Sequence, residues 1–517
     1  MSVRTPSGRP PRTARVKSGL AAGVSAVMVL GLGLAPAANA STTTVDEAAL
    51  PGLVTTDAIR EHMRNLATIA EYNGGNRATG TPGYDVAAKY VIDQLKRAGY
   101  KPVKHTYTFD EWIELSDAVL SQTAPEAREF AYGEDFLTME YSGPGDVTAT
   151  AVPVDAQGSD SGCEADDFAG FPTGSIAVLK RGTCTFEQKA ANAAEAGAAG
   201  AVIFNHGATE APGDTGPVNG TVTNPSAIPT VGASVEVGEA LLAAGADLEL
   251  RLRVDSEIET STSYNIVAET RGGKKDNVVV VGAHLDGVEE GPGINDNGSG
   301  VAAILEVARQ LPRLGTPENK VRFAFWGSEE VGLIGSTEYV ESLSDKELER
   351  IALYLNFDMI GSENYARLVY DGRNELPGSA AAPSGSGAIQ KTFEDYFAAE
   401  GLVVEPTEFS GRSDYRAFML AGIPAGGLFS GADGIKTEEQ VEYYGGTAGV
   451  QYDRNYHTAD DTFENINWDS VTELSGGIAY SVETFSENTL PVNGVAPFRA
   501  GPQSAGAFDR VSDRWVR

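Results

Sequence analysis

The second half of the chain alternates short, continuous apolar runs with longer segments whose apolar residues recur at helical spacing. The strand-like runs are NIVAET, NVVVVGAH, KVRFAFWG and IALYLNFDM. The helical segments are GVAAILEVARQL, a stretch after Glu330, IQKTFEDYFAAE and DSVTELSGGIAYSVETF. Continuous Val, Ile, Leu and Phe runs indicate strands that are buried on both faces. We therefore predict an α/β fold, with a mixed, mostly parallel β-sheet flanked by helices.

Two helices and a strand are also predicted near the start of the chain. Thr56 is a candidate N-cap for TDAIREHMRNLATIAEY, and the helical spacing returns in GYDVAAKYVIDQLKRAGY, which stops at Gly99. The next segment, KHTYTFDEWIEL, alternates as a strand does. We expect these elements to join the α/β domain.

Residues 135–255 have a different character, with short strand-like runs and one Ala-rich helix, FEQKAANAAEAGAAG. We interpret them as a β-rich insertion in a discontinuous domain formed by residues 41–134 and 256–490. A turn-rich tail without periodicity follows at 491–517.

The first forty residues predict a secretory signal peptide. A head with five basic residues precedes an apolar stretch, Leu20 to Leu34, and the small-residue cleavage site Ala38-Asn39-Ala40. The apolar stretch is short for a membrane span, and no other segment is long enough. We therefore expect a secreted, extracellular protein without a stable membrane anchor.

The charge balance argues against nucleic acid and anionic membranes as partners. The formal net charge is −33, and removal of the signal peptide leaves 34 basic against 72 acidic residues. So negative a surface favours solubility and repels polyanions. We expect a monomer that meets peptide or protein N-termini only as substrates.

Cys163 and Cys184 are the only two cysteines. In an exported chain the simplest interpretation is one structural disulfide, with two free thiols as the alternative. A zinc site between them is disfavoured because no further soft ligand lies nearby.

Three groups of candidate metal-site residues follow predicted strands, and two single residues lie in a glycine-rich turn and in a long loop. They are His284 in GAHLD, Asp296 in GINDNGSG, the pair Glu329-Glu330 in WGSEE, Asp358 in LNFDMIG and His457 in NYHTADD. Each one alone has a structural explanation, such as a packed histidine, a turn aspartate or a surface glutamate. Side chains that follow parallel strands gather at one rim of the sheet. Imidazoles and carboxylates brought together there are the donors of a two-zinc hydrolytic site.

The inserted segment resembles the protease-associated domain. The resemblance rests on CEADDF, GSIAVLKRGTCTFEQKAANAAEAGAAGAVIFN and IPTVGAS, and it covers about 120 residues. It implies a small β-rich module whose cysteine pair is commonly bridged. Such a module shapes access to a peptidase site and carries no chemistry itself.

The remainder resembles the secreted co-catalytic zinc aminopeptidases of the bacterial leucyl type. The matching stretches are GNRATGTPGYDVAAKYV, GAHLD, GPGINDNGSG, WGSEEVGLIGS, LNFDMIG, SGRSDYRAF and NYHTADDT. The resemblance implies the zinc-exopeptidase fold and two Zn²⁺ per chain. His284 and Asp358 would hold one ion, Glu330 and His457 the other, and Asp296 would bridge them.

The same resemblance assigns further roles. Glu329 matches the general base, and Tyr456 matches a tyrosine that steadies the oxyanion, although a buried structural tyrosine is nearly as common. Arg412 matches an arginine near the substrate, with a surface ion pair as the alternative. Asp286 is placed to accept the other imidazole N–H of His284, unless it is a simple turn aspartate. Asn297 stands where the family often has aspartate, after a bond that is a cis peptide in the family.

The implied activity is removal of N-terminal residues, with a preference for large apolar ones such as leucine. Carboxypeptidases and dipeptidases of the same superfamily are the alternative, since Arg412 or Arg416 could bind a terminal carboxylate. A binding protein on an inactive peptidase fold is disfavoured because no ligand is missing. A glutaminyl cyclase, which uses one zinc, is disfavoured because the ligands for two are present.

Overall fold

The computed structural model of the protein describes residues 49–207, 215–222 and 225–494. The strands in these ranges are β1 (Val103–Ala124), β2 (Arg128–Glu129), β3 (Phe136–Thr138), β4 (Gly145–Pro153), β5 (Ile176–Lys180), β6 (Gly200–Phe204), β7 (Thr230–Ala233), β8 (Glu249–Glu269), β9 (Lys274–His284), β10 (Asn319–Trp326), β11 (Ile351–Phe357), β12 (Leu368–Tyr370), β13 (Glu405–Thr407) and β14 (Ala425–Phe429).

The α-helices are α1 (Leu50–Leu53), α2 (Thr56–Tyr72), α3 (Pro82–Arg97), α4 (Phe186–Glu195), α5 (Val235–Ala244), α6 (Gly298–Gln310), α7 (Ile334–Glu341), α8 (Asp345–Leu348), α9 (Ser386–Glu400), α10 (Tyr415–Leu420), α11 (Glu438–Tyr444), α12 (Trp468–Glu487) and α13 (Leu490–Asn493). The strands and helices predicted from the hydrophobic pattern are all present. Thr56 is not the N-cap, however: it is the first helical residue, and the side chain of Thr55 accepts from the N–H of Ala58.

The predicted mixed, mostly parallel sheet is confirmed. Its strand order is β13-β12-β14-β11-β9-β10-β8, with β1 beyond β8. The four central strands, β14, β11, β9 and β10, all run parallel to one another. Strands β8 and β12 join the central four antiparallel to them.

The register of the central strands brings their carboxyl ends to one rim. Trp326, the last residue of β10, is paired with His284, the last residue of β9. Phe357 ends β11 and is paired with Leu428 of β14. Residues that follow these strands therefore begin at the same edge of the sheet, as expected for an open parallel sheet.

Helices cover both faces of this sheet. On one face α2, α3, α6, α9 and α12 contribute to the largest apolar core. On the other face Trp326 and Tyr354 pack with Phe418 of α10, and the rings of Tyr354 and Phe418 are stacked at 3.9 Å. Burial on both faces explains why the strands between them are continuously apolar.

The inserted segment has its own apolar core, and its strands extend the peptidase sheet beyond β8, beginning with β4. Strands β4, β5, β6 and β7 are parallel, and β3 closes the edge antiparallel to β7. The long antiparallel pair β1 and β8 runs from the peptidase sheet into this module. Ala118, Leu120 and Phe130 pack in the core of the module although they precede the predicted boundary at residue 135. The domain boundaries themselves remain a prediction.

The predicted disulfide is present. Cys163 and Cys184 are bridged, with 5.7 Å between their Cα atoms, and the described residues contain no free cysteine. The bridge links the segment before β5 to the start of α4, and it packs beside the buried Lys189.

Two predicted segments lie wholly or mostly outside the described residues. The signal peptide, residues 1–40, is one, and most of the tail at 491–517 is the other, although Val492 is buried in the main core. Within the described ranges, none of the helices has the length and apolar character needed to cross a membrane.

Glu306 provides an acid-sensitive contact between α2 and the helix α6 that leads away from the rim. Its side chain is 1% exposed, and Oε2 lies 3.2 Å from Nε2 of His62 and 2.7 Å from Nη1 of Arg309. Burial raises the pKa of Glu306, but hydrogen bonds with His62 and Gln310 and the charge of Arg309 lower it overall. The contribution to stability is complete above the unfolded pKa of about 4.3 and is lost as the pH falls through the lower folded value.

We therefore expect Glu306→Gln to destabilise the protein at pH 7 and to remove this loss below about pH 4.3. Urea unfolding midpoints from neutral to acidic pH would measure the effect, with Glu61→Gln on the exposed face of α2 as the control. Parallel pH profiles for the wild type and Glu306→Gln would contradict the assignment.

Candidate metal centre

The six predicted site residues meet at the rim of the central strands. His284 ends β9, Asp358 follows β11, and Glu329 and Glu330 lie just beyond β10. Asp296 precedes Asn297, the N-cap of α6, and the Asp296–Asn297 peptide bond is cis. The sixth residue, His457, comes from the loop between α11 and α12.

Asp296 lies between the two histidines. Its Oδ1 is 3.1 Å from Nε2 of His284, and its Oδ2 is 3.2 Å from Nε2 of His457. Nε2 of His284 is also 3.0 Å from Oδ1 of Asp358, and Nε2 of His457 is 2.9 Å from Oε2 of Glu330. The donors therefore form two groups that share one carboxylate.

A third group of possible ligand atoms includes the predicted base. Atoms of His284, Glu329 and Glu330 all lie within 4.8 Å of one another. Glu329 is buried, and one oxygen of Glu330, Oε1, is buried without a hydrogen-bond partner. Glu329 thus faces the same small volume as the ligands, close enough to act on a molecule held there.

The backbone next to the site residues is held in an uncommon conformation. Ser328, Met359 and His457 have φ values of 56°, which non-glycine residues rarely adopt. Ser328 precedes Glu329, and its N–H donates to Oγ1 of Thr79 at 3.0 Å. Such conformations persist where the surroundings fix them, and they concentrate at functional sites.

Burial and mutual charge shift the proton affinities of the cluster. Burial, followed by the charge of Asp296, raises the pKa of Glu330 to about 7. Burial raises the pKa of Glu329 well above its usual range, with Asp358 and Glu330 adding to the rise and His284 opposing it. Burial lowers the pKa of His457, but hydrogen bonds to Asp296 and Glu330 raise it overall to about 10. A cation that binds here must compete with protons.

The structure changes the predicted contact of Asp286. Nδ1 of His284 lies 3.2 Å from the main-chain oxygen of Asp286, whereas the nearer carboxylate oxygen is 3.8 Å away. The carboxylate instead accepts from the main-chain N–H groups of Glu329 and Glu330, each at 3.3 Å, and from the hydroxyl of Thr79 at 3.2 Å. Asp286 therefore orients the loop with the two glutamates as well as the imidazole. The sequence alone could not show this because that loop lies 43 residues away.

Tyr456 and Arg412 form one unit beside His457. The ring of Tyr456 stacks on the imidazole, with 3.8 Å between centroids. Nη2 of Arg412 donates to the Tyr456 hydroxyl at 3.2 Å, and Nη1 donates to Asp433 at 3.1 Å. Arg412 is thus in an ion pair, as the alternative interpretation held, but this ion pair also lies at the site.

Sequence reasoning missed several polar residues that hold the site. Arg77 is fully buried and donates to the main-chain oxygens of Leu285, Pro292 and Gly293, in the segment between His284 and Asp296. An arginine in a turn-rich loop gives no signal of burial.

The SGRSD stretch contributes two more residues that were not predicted. Ser413 donates to Oδ2 of Asp358 at 2.5 Å. Asp414 is 1% exposed, and both of its oxygens lack a hydrogen-bond partner. Besides Arg412, this stretch therefore places two polar side chains under the rim.

The chemistry of the donors fits metal ions. Two imidazole nitrogens and several carboxylate oxygens converge, and these are ligand types of Zn²⁺. The shared Asp296 has one oxygen for each side, which suits a pair of adjacent cations. The buried oxygen of Glu330 that lacks a hydrogen bond is a further donor available to a cation.

The comparison with known proteins covers most of the chain. Residues 265–482 match the model of peptidase family M28, and residues 147–241 match the PA domain model. The latter match confirms the predicted protease-associated insertion. An aminopeptidase of Pseudomonas aeruginosa is 47% identical over 451 residues, which is 86% of this chain and 83% of that protein. Leucine aminopeptidase 2 of Trichophyton equinum is 41% identical over 418 residues, 80% of each chain.

A solved aminopeptidase structure shares the fold of this chain, at a lower sequence identity than the relatives above. The structure of a zinc aminopeptidase from Bacillus subtilis matches with a TM-score of 0.61 and 24% identity, over 86% of this chain and 98% of that one. That likeness supports the fold, and the 47% identity with the Pseudomonas protein carries the family assignment. The chain therefore belongs to peptidase family M28, as an aminopeptidase with an inserted PA domain.

Proposed function

We propose that this aminopeptidase uses two zinc ions, held side by side at the rim. The observation that carries this proposal is the position of Asp296, whose two oxygens face His284 and His457 separately at 3.1 and 3.2 Å. Asp358 completes the ligands on the His284 side and Glu330 those on the His457 side. Zinc itself is supported by the donor types and by the zinc aminopeptidase that shares the fold.

When bound, the ions supply a water of lowered pKa and polarise the carbonyl of the scissile bond. Glu329 takes the proton from the attacking water and returns it to the departing amine. Its place supports this role: it is buried, and its carboxylate lies in the same 4.8 Å group as ligand atoms of His284 and Glu330. Asp286 accepts from the N–H of Glu329 and so helps to fix the direction of the base.

In this proposal Tyr456 donates its hydroxyl to the oxyanion that develops on the substrate carbonyl. Arg412 donates to the same hydroxyl oxygen at 3.2 Å, which orients the tyrosine and favours its action as a donor. The aromatic stack supports this role, because it holds the ring of Tyr456 against His457, a proposed metal ligand.

The substrates are peptides with a free α-amine and a large apolar first residue. Carboxylates near the ions, chiefly Glu329 and Asp358, would attract the ammonium group and restrict cleavage to the first residue. The leucine preference is supported by the 41% identical leucine aminopeptidase 2.

We also propose export of the chain, supported by the basic head, apolar stretch and cleavage site in residues 1–40. The disulfide agrees with an oxidising compartment.

Comparison of blocked and unblocked peptides tests the direction of cleavage. We expect rapid release of leucine from Leu-Gly-Gly and from Leu-Gly-Gly amide, and no hydrolysis of N-acetyl-Leu-Gly-Gly. The reason is that the α-amine, not the terminal carboxylate, must reach the carboxylates at the rim. Chromatography of the products would measure the cleavage. Hydrolysis of the acetylated peptide together with failure on the amide would instead show a carboxypeptidase.

A further inference from the structure

Asp461 is a buried carboxylate that joins the loop of His457 to the segment that ends in Asp296. The residue is 3% exposed. Oδ1 accepts from the N–H of Asn295 at 2.7 Å, and Oδ2 accepts from the N–H of Asp296 at 2.9 Å. The main-chain oxygen of Asp461 accepts from the N–H of Ile294 at 3.1 Å. One residue thus accepts from three successive N–H groups.

The two segments are also in close contact. A Cβ added at Gly291 would lie 2.1 Å from the main-chain oxygen of Thr458, so a side chain at this position would require the segments to shift. The N–H of Asp461 donates back to the oxygen of Thr458 at 3.2 Å, which closes the turn that follows His457. Asp461 therefore has a fixed place relative to both segments.

We propose that Asp461 is a positioning residue, which sets Asp296 and His457 at the separation that a shared metal ion requires. The inference rests on the proposed roles of Asp296 and His457 as metal ligands. Asp461 does not itself belong to any of the groups of possible ligand atoms among the described residues. Its two hydrogen bonds hold the main chain on which the bridging carboxylate stands.

The variant Asp461→Asn tests the proposal, because an amide offers one acceptor oxygen where the carboxylate offers two. One N–H of Asn295 or Asp296 then faces the NH₂ group. Loss of a hydrogen-bond partner behind a ligand typically weakens metal affinity by about 10- to 100-fold. We expect a loss of this size for the more weakly held of two Zn²⁺ ions, measured on the purified full chain by competition with a chelating dye.

A second variant disturbs the contact between the same two segments without altering Asp461. Gly291→Ala introduces a Cβ against the oxygen of Thr458 and forces the two segments apart. Gly291 does not have a positive φ, so the contact is the main consequence of the change. Weaker Zn²⁺ binding by this variant would support the proposal even if Asp461→Asn fails to fold.

Two control variants test whether a loss of Zn²⁺ affinity comes from the positioning by Asp461, from the loss of a negative charge, or from destabilisation of the whole protein. Asp371 is fully buried and accepts from two successive N–H groups, those of Glu375 at 3.0 Å and Leu376 at 2.8 Å, away from the rim. Asp371→Asn should lower the unfolding midpoint and leave Zn²⁺ affinity unchanged. Asp453 is 3% exposed and accepts from the side chain of Asn295 at 2.6 Å, so Asp453→Asn removes a nearby charge without touching the N–H of Asp296.

The outcomes are distinct. Wild-type Zn²⁺ affinity in both Asp461→Asn and Gly291→Ala would overturn the proposal. An equal loss in Asp453→Asn would assign the effect to charge, and an equal loss in Asp371→Asn would assign it to general destabilisation, and either result would also overturn it. A wild-type chain that binds fewer than two ions would refute the proposed two-metal function itself, before any variant is compared.

Discussion

Glu329→Gln is expected to lower kcat by about 10²- to 10⁴-fold while both metal ions stay bound. The substitution keeps the size of the side chain and removes its ability to take a proton. The variant distinguishes a general base from a metal ligand, because Glu329 shares a group of possible ligand atoms with His284 and Glu330. A base can be replaced without loss of metal, whereas a ligand cannot.

Leucyl-p-nitroanilide hydrolysis and metal analysis of the same purified sample would measure the two properties together. Glu330→Gln is the matched comparison, since it changes the adjacent glutamate that lies 2.9 Å from His457, and it should lose metal as well as activity. Glu341→Gln, on the exposed side of α7, should behave as the wild type. Full activity in Glu329→Gln, or loss of metal from it, would refute the assignment of the base.

The hydrophobic pattern was sufficient for the central strands β9, β10 and β11 and for the rim where they end. The apolar run that ends at His284 and the one that ends before Asp358 form adjacent parallel strands, β9 and β11, so the order of the residues in the chain already placed them at one edge. Glu329 and Glu330 followed from the same argument applied to β10. Parallel strands make such inference possible because their carboxyl ends coincide.

The contacts behind the ligands could not be predicted in this way. Arg77 and Asp461 act through main-chain oxygens and N–H groups that are distant in sequence, and hydrophobic periodicity carries no information about them. The short strands β12, β13 and β14 were also missed. Three-residue strands such as β12 are too short to show a period, and β14 contains two glycines in AGGLF.

The sequence also did not predict how the inserted module connects to the peptidase sheet. Strands β1 and β8 each run without interruption from the peptidase sheet into the inserted module. The amino-acid composition therefore changes along strands that are themselves continuous. The change in composition shows where one apolar core ends and the next begins. Because the two parts share β1 and β8, the module extends the peptidase sheet, and the pairing of these two strands sets the position of the module relative to the rim.

Asp296→Asn is expected to cost both metal ions at once, because Asp296 is the residue that faces both histidines. An amide offers one weaker oxygen donor in place of two charged ones, so at most one side keeps an oxygen from this residue, and that oxygen binds a cation less strongly. Activity should fall by more than the roughly 10- to 100-fold that loss of an outer hydrogen-bond partner causes. By contrast, Asp358→Asn and Glu330→Gln should each weaken mainly one ion, since each contacts a single histidine.

Thermal unfolding tests whether Asp296 binds both metal ions or only one of them. Ions that bind only the folded chain stabilise it by about 2.7 kcal/mol at a free concentration one hundred times Kd, so a chelator should lower the Tm of the wild type. The Tm of Asp296→Asn should not respond to the chelator, while Asp358→Asn and Glu330→Gln should keep a partial response. If Asp296→Asn lost one ion and kept the other with unchanged affinity, the carboxylate would not bridge. The centre would then consist of two independent sites, and Asp296 would belong to one of them.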